Sequence, residues 1–194
     1  PGHGWPLGKR TWVNPSPNAP NLWMARCYPG SVMLEGATLS EGRGTTRPLE
    51  LLGAPDLDVP ALLAQMRALA PAWLRGCRLR PCWFEPTFHK HVGRLCNGVQ
   101  IHTEGPVYDH HAFRPWRLQA LAFKAIRRLA PGYELWRDFP YEYERDRLAI
   151  DVINGSDVLR TWVDDPNATP ADLDELAAPD EAAWRIEREA VLLY

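Results

Sequence analysis

The sequence predicts an α+β fold, a small sheet with flanking helices, on three observations. Segments 79–84 and 98–103 read as strands; in the second, Val99 and Ile101 fall on one face and Gln100 and His102 on the other. Segments opening at Val59-Pro60 and at Pro115 repeat their apolar residues at helical spacing. Strands and helices then mix without a strict β-α-β repeat.

Taken in order, residues 1–30 are rich in Pro, Gly, Asn and Trp. The run Asn14-Pro15-Ser16-Pro17-Asn18-Ala19-Pro20 excludes regular helix and central strand, so 1–30 reads as an extended linker and loop packing on a domain that occupies 31–194. Ser31-Val32-Met33-Leu34-Glu35, between Gly30 and Gly36, reads as a buried strand with Glu35 at its exit. A polar loop over 36–48 follows, expected to lie exposed at one edge of the sheet. Asp58 caps the next helix, whose apolar face is Leu62, Leu63, Met66 and Leu69, and Pro71 ends it. The helix from Pro115 carries a stripe of Leu118, Leu121, Ala122, Ala125 and Leu129 and stops at Pro131-Gly132. A short helix covers 147–154, ended by Gly155, and Thr169-Pro170 and Pro179 each open a terminal helix.

Composition narrows the function classes. The 194 residues are 45% apolar and 24% charged, which suits a packed core. No apolar run approaches the roughly 20 residues that span a bilayer. The net charge of −2 and the lack of a long basic run argue against nucleic acid as a partner. Pro1-Gly2-His3-Gly4-Trp5 is not a signal peptide and has no initiator Met. The nine tryptophans and 19 prolines suit stiff loops that stack sugar rings, or alternatively tryptophans that fill a core.

Motifs exclude several chemistries. Cys27, Cys77, Cys82 and Cys96 form no C-x-x-C pair, and a local Cys77–Cys82 disulfide is geometrically unfavourable. His89-Lys90-His91, His102 and His110-His111 lack an acidic ligand at fixed spacing, so no metal site is assigned. Five residues separate Gly36 from Gly42, which breaks the phosphate-loop spacing, and Gly42-x-Gly44 lacks the third glycine of a dinucleotide fingerprint. No cofactor is expected. No G-x-S-x-G elbow occurs. Glycoside hydrolysis, which needs two carboxyl groups about one bond, fits better, with Glu35, Glu41, Glu50, Glu85 and Glu104 as candidates. Arg43, between two glycines, presents a fork of donors suited to a carboxylate or phosphate. The alternative is a tight turn in which Arg43 pairs internally with Glu35, Glu41 or Glu50.

An ordered set of motifs carries a resemblance. Asn14-Pro15-Ser16-Pro17-Asn18-Ala19-Pro20, Tyr28-Pro29-Gly30, Leu34-Glu35-Gly36, Ser40-Glu41-Gly42-Arg43-Gly44-Thr45-Thr46-Arg47-Pro48 and Gly53-Ala54-Pro55 come first. Phe84-x-Pro86-Thr87-Phe88, Cys96-x-Gly98-Val99-Gln100-Ile101-His102 and Ile150-Asp151 follow. Together they resemble the NamZ-like (YbbC-like) exo-β-N-acetylmuramidases over nearly the whole chain. The chain departs from that pattern at Ala37-Thr38, where relatives carry Thr-Asn, and at His89.

The resemblance implies the second domain of a two-domain glycosidase that releases N-acetylmuramic acid from the non-reducing end of peptidoglycan fragments. The implied partners are muropeptides or disaccharides and an upstream Rossmann-like domain that holds the main catalytic acid. The implied place is the cell envelope or outside the cell, with the cytoplasm as the alternative. Carried over to the 35–48 segment, it implies Glu41 as a catalytic carboxylate and Glu35, Ser40, Arg43, Thr45 and Thr46 as substrate-binding residues. Arg43 would then read the lactyl carboxylate that distinguishes muramic acid from glucosamine. A glycan-binding or scaffold module without catalysis is the alternative.

Overall fold

The computed structural model describes residues 10–192. In chain order the helices are α1 (Leu22–Ser31), α2 (Val59–Leu69), α3 (Pro115–Leu129), α4 (Ala149–Asn154), α5 (Val158–Asp164) and α6 (Pro170–Glu187); the strands are β1 (Leu51–Ala54), β2 (Arg78–Phe84) and β3 (Cys96–His102). The fold is α+β. The three strands form an antiparallel sheet in the order β1-β3-β2. Leu79 faces Ile101 across the β2–β3 hairpin, and Leu52 of β1 faces Val99. Paired residues share a face, so Leu52, Leu79, Val99 and Ile101 point together into the main core. Val99 and Ile101 fall on one face, as the alternation predicts.

α3 is the central helix. Every residue from Leu118 to Ile126 is buried, and it packs against both α1 and α2. Lys124 is buried with them and donates to the carbonyls of Trp162 (2.6 Å) and Asp165 at the end of α5. Asp58 caps α2 by accepting from the Ala61 amide at 3.0 Å. Thr169 and Asp172 form a capping box at the start of α6. Among the described residues no helix is long and apolar enough to cross a membrane.

Several local expectations are corrected. Residues 22–31, read within an extended segment, form α1; the part of that segment before residue 10 lies outside the described residues. Asn21 caps α1 by accepting from the Met24 amide at 2.8 Å. Pro29-Gly30 looks like a helix breaker, yet Pro29 sits near the helix end, where one lost hydrogen bond costs little, and Gly30 is needed for packing. A Cβ there would lie 2.0 Å from the Pro115 carbonyl oxygen.

The expected strand at 31–35 is the end of α1 followed by a 3₁₀ turn, Val32–Gly36. A short apolar run does not distinguish strand from helix by periodicity, and here packing against α4 decides. β1 and α5 are too short to show a period in the sequence. The two terminal helices are one: α6 runs through Pro179. Its second half is exposed to solvent, so the carbonyl that Pro179 cannot pair is not sealed in a core. The 36–48 loop does lie at the β1 edge of the sheet, with Ser40 bridging Gly53, but it is largely buried and not exposed.

Candidate functional site

The 35–48 segment leaves the 3₁₀ turn, bridges β1 at Ser40 and turns back through Gly42 and Gly44. Both glycines have positive φ, 74° and 78°, which a side chain would strain. The turn folds Arg43 back onto the segment. Its Nε donates to Glu41 Oε1 at 2.7 Å, and its Nη2 donates to Glu35 Oε1 at 2.5 Å. The internal pairing weighed as the alternative for Arg43 is therefore present, with two of the three glutamates named for it.

The connection between β2 and β3 closes over this turn. Thr87 donates to the Gly44 carbonyl at 3.1 Å. Lys90 Nζ lies 2.9 Å from Glu41 Oε2, a charge contact that leaves Oε2 without an aligned donor. The same ammonium donates to the carbonyls of Leu34 and Ala37, the latter at 3.0 Å. His89 Nδ1 is 3.5 Å from Glu41 Oε1, and His91 Nε2 is 2.8 Å from the Thr38 carbonyl. From the other side Tyr141 donates to Glu35 Oε2 at 2.7 Å, and Arg137 donates to the Glu35 carbonyl at 3.2 Å.

Electrostatics follow from this burial. Desolvation works to raise the Glu41 pKa, but the adjacent Lys90 charge, the loop backbone and Arg43 outweigh it and hold the carboxyl below its ordinary range. Desolvation brings Lys90 down to about 8, against the pull of Glu41. Both groups are thus charged at neutral pH. Desolvation also lowers His89, keeping it neutral there despite Glu41. The Tyr141 hydroxyl is pushed up by burial and by Glu35.

Backbone strain collects at the same place. Among the described residues the non-glycine positions with positive φ are Leu49, His89, His91, Glu142 and Tyr143. The Leu49 amide donates to the Glu41 carbonyl at 2.7 Å, and His89 and His91 touch the network directly. Glu142 and Tyr143 form the turn between bridged Tyr141 and Glu144. Each such residue costs about 1–3 kcal/mol and persists only where its surroundings over-determine it.

Glu35 and Arg43 also line a cavity of about 380 Å³. Its other walls include Trp12, Met24, Tyr28 and Leu49, with Ser16 and Asn18 adding polar groups. Trp12 is fixed by a 2.9 Å hydrogen bond from its indole N–H to the Ala19 carbonyl. Among the tryptophans, Trp73 and Trp162 serve the core, while Trp12 serves this cavity.

The remaining expected site residues separate. Glu41, the residue expected as a catalytic carboxylate, has no exposed side-chain surface and is paired with Arg43 and Lys90. The Ser40 hydroxyl is buried and accepts from the Gly42 amide at 3.1 Å, and Thr45 donates to the Gly42 carbonyl at 2.6 Å. Both hydroxyls help to hold the turn. Thr46 is exposed. Glu50 is buried against Arg47 (2.8 Å) and Asn21 (3.3 Å), Glu104 pairs with His102 at 2.8 Å, and Glu85 is on the surface. Four free thiols, Cys27, Cys77, Cys82 and Cys96, take no part in this network. Among the described residues no group of three or more His, Cys, Asp or Glu side chains is arranged to hold a metal ion.

Residues 26–194 match the family described as exo-beta-N-acetylmuramidase NamZ, C-terminal. The chain belongs to this NamZ C-terminal family. It is 39% identical over 153 residues to the peptidoglycan beta-N-acetylmuramidase NamZ of Bacillus subtilis (strain 168), a match covering 79% of this chain and 33% of that protein. The chain thus spans about one third of the length of this curated relative. The fold is shared with two crystal structures of DUF1343 family proteins from Bacteroides fragilis NCTC 9343. Their TM-scores are 0.66 and 0.60 at 22% and 21% identity, covering 94% and 93% of this chain and 45% and 43% of theirs.

Within this NamZ C-terminal domain, sequence reasoning missed Lys90, Tyr141, Arg137 and the cavity walls Trp12 and Tyr28. Lys90 stood in view between two histidines weighed only as metal ligands. Nothing in the spacing links Tyr141 to Glu35, 106 positions away. Their meeting is a product of the fold.

Proposed function

We propose that this chain is the C-terminal domain of a glycoside hydrolase that releases N-acetylmuramic acid from the non-reducing end of peptidoglycan fragments. The 35–48 segment forms one wall of its cleft. Family membership supports the reaction class, and one observation carries the division of labour. Of the five candidate glutamates, Glu35 alone lines the aromatic-walled cavity, while Glu41 and Glu50 are fully buried in ion pairs.

Glycoside hydrolysis requires two carboxyl groups about one bond. The second comes, in this reading, from the upstream domain. Glu35, bridged to Arg43 and Tyr141, meets the substrate from this side. Glu41 and Lys90 act beneath it, holding the turn in place.

The experiment is turnover of a chromogenic N-acetylmuramide by the isolated chain, then by the protein with its upstream domain restored. No turnover followed by turnover is the expected result. Turnover by the isolated chain refutes the division of labour. Absence of turnover in the two-domain protein refutes the hydrolase reading. The burial of Glu41 and Glu50 favours the alternative of a non-catalytic glycan-binding or scaffold module, in which the upstream domain supplies all the catalytic groups.

A further inference from the structure

We propose that the cavity beside Arg43 is a subsite for the neutral face of a pyranose, and that the Glu35–Arg43 pair binds hydroxyl or acetamido groups instead of a carboxylate. The inference rests on the muramidase reading above and names what this part of the site recognises.

The first ground is charge. Arg43 and Lys90 carry two positive charges, and Glu35 and Glu41 carry two negative ones, all within one connected set of contacts from 2.5 to 2.9 Å. Arg137, the next cation, is turned to the Glu35 carbonyl and stacks on Phe139 at 4.0 Å. An incoming carboxylate would meet Glu35 beside Arg43, with the guanidinium charge already shared between two carboxylates. Ejecting Glu35 to make room would also break its bond with Tyr141. A neutral ligand demands no such exchange.

The second ground is donor and acceptor supply. A guanidinium has five N–H groups, of which the hydrogen bonds to Glu41 and Glu35 use two. Glu35 is 21% exposed and retains lone pairs beyond those given to Arg43 and Tyr141. Side by side, the two groups offer a donor and an acceptor. That is the complement of a sugar hydroxyl pair, each member of which both gives and takes a hydrogen bond.

The third ground is shape. The cavity, about 380 Å³, is within the range of small-molecule sites, about 300–1,000 Å³. Its lining combines polar groups, Glu35 and Arg43 with Ser16 and Asn18, and apolar ones, Trp12, Met24, Tyr28 and Leu49. A pyranose presents the matching division, an apolar C–H face and a hydroxyl edge. Trp12 and Tyr28 remain 36% and 46% exposed, so aromatic surface is available to a ligand.

The test is direct binding to the chain, followed by NMR. The probes are the methyl β-glycosides of N-acetylglucosamine and of N-acetylmuramic acid, which differ by the carboxylate-bearing lactyl ether. The expected result is binding of both with dissociation constants on the order of millimolar and within about threefold of one another. The Trp12 indole resonance should shift. Tyr28→Ala should weaken both several-fold, and Trp12→Phe, which preserves a ring should Trp12→Ala unfold its segment, should weaken both less.

A tenfold or greater preference for the muramide overturns the proposal, returns carboxylate recognition to Arg43 and leaves the hydrolase reading intact. Failure of both glycosides to bind, or binding that shifts neither Trp12 nor Tyr28, also overturns it. Turnover by the two-domain protein then shows whether the hydrolase reading falls with it.

Discussion

Replacing Lys90 with methionine tests whether the buried charge network holds the loop. Lys90→Met keeps the length and apolar stem of the side chain and removes its ammonium. In the native fold that ammonium sits 2.9 Å from Glu41 Oε2, with 7% of the Lys90 side chain and none of the Glu41 side chain exposed. It also satisfies the carbonyls of Leu34 and Ala37. The variant leaves Glu41 buried with Arg43 as its remaining strong cation. Removing one partner of a buried pair costs about 3–5 kcal/mol, and each orphaned carbonyl adds about 1 kcal/mol or more.

Retention of Arg43 on Glu41 offsets part of this, so a total of about 3–5 kcal/mol is expected. For a domain of this size that lowers the melting temperature by roughly 6–20 °C. Urea unfolding monitored by circular dichroism measures the loss. The double variant Lys90→Met/Glu41→Leu, which removes both charges, should be more stable than Lys90→Met alone, because no buried carboxylate is left uncompensated. A loss below about 1 kcal/mol for the single variant, or a double variant no more stable than it, refutes the reasoning.

Other outcomes follow from the same geometry. Arg43→Lys cannot bridge Glu35 and Glu41 with two nitrogens, so in the two-domain protein it should lower the melting temperature and reduce muramide and glucosaminide turnover by similar factors. A selective loss on muramides would contradict that. Glu41 has a folded pKa below its unfolded one, so the unfolded chain takes up the proton first as pH falls. Its stabilisation is present above the ordinary carboxylate range and is lost as pH drops through the folded value; Glu41→Gln should flatten that acid limb of a stability–pH profile. Gly30→Ala places a Cβ 2.0 Å from the Pro115 carbonyl oxygen and should cost about 1–3 kcal/mol or more, whereas Gly132→Ala, with no atom within 4 Å, should be close to neutral in thermal melts.

Much of the fold is legible in the sequence because its signals are local. Asp58-Val59-Pro60 and the stripe from Leu62 to Leu69 specify α2 by capping and period. Pro115 and the stripe from Leu118 specify α3, and alternation through Val99 and Ile101 specifies the core face of β3. The family, too, is legible, because its motifs are contiguous runs in a fixed order.

What the tertiary structure alone decides is the state of groups brought together from distant parts of the chain. Val32-Met33-Leu34 has the composition of a strand, and packing against α4 makes it a 3₁₀ turn. Glu41 and Glu35 are both loop carboxylates in the sequence, yet one is sealed beneath Lys90 and the other faces a cavity. That difference arises because the β2–β3 connection closes over the turn, a contact between residues about 50 positions apart. The charge of each side chain is written in its codon; burial and the partner across the fold decide whether that charge is spent on structure or offered to a ligand.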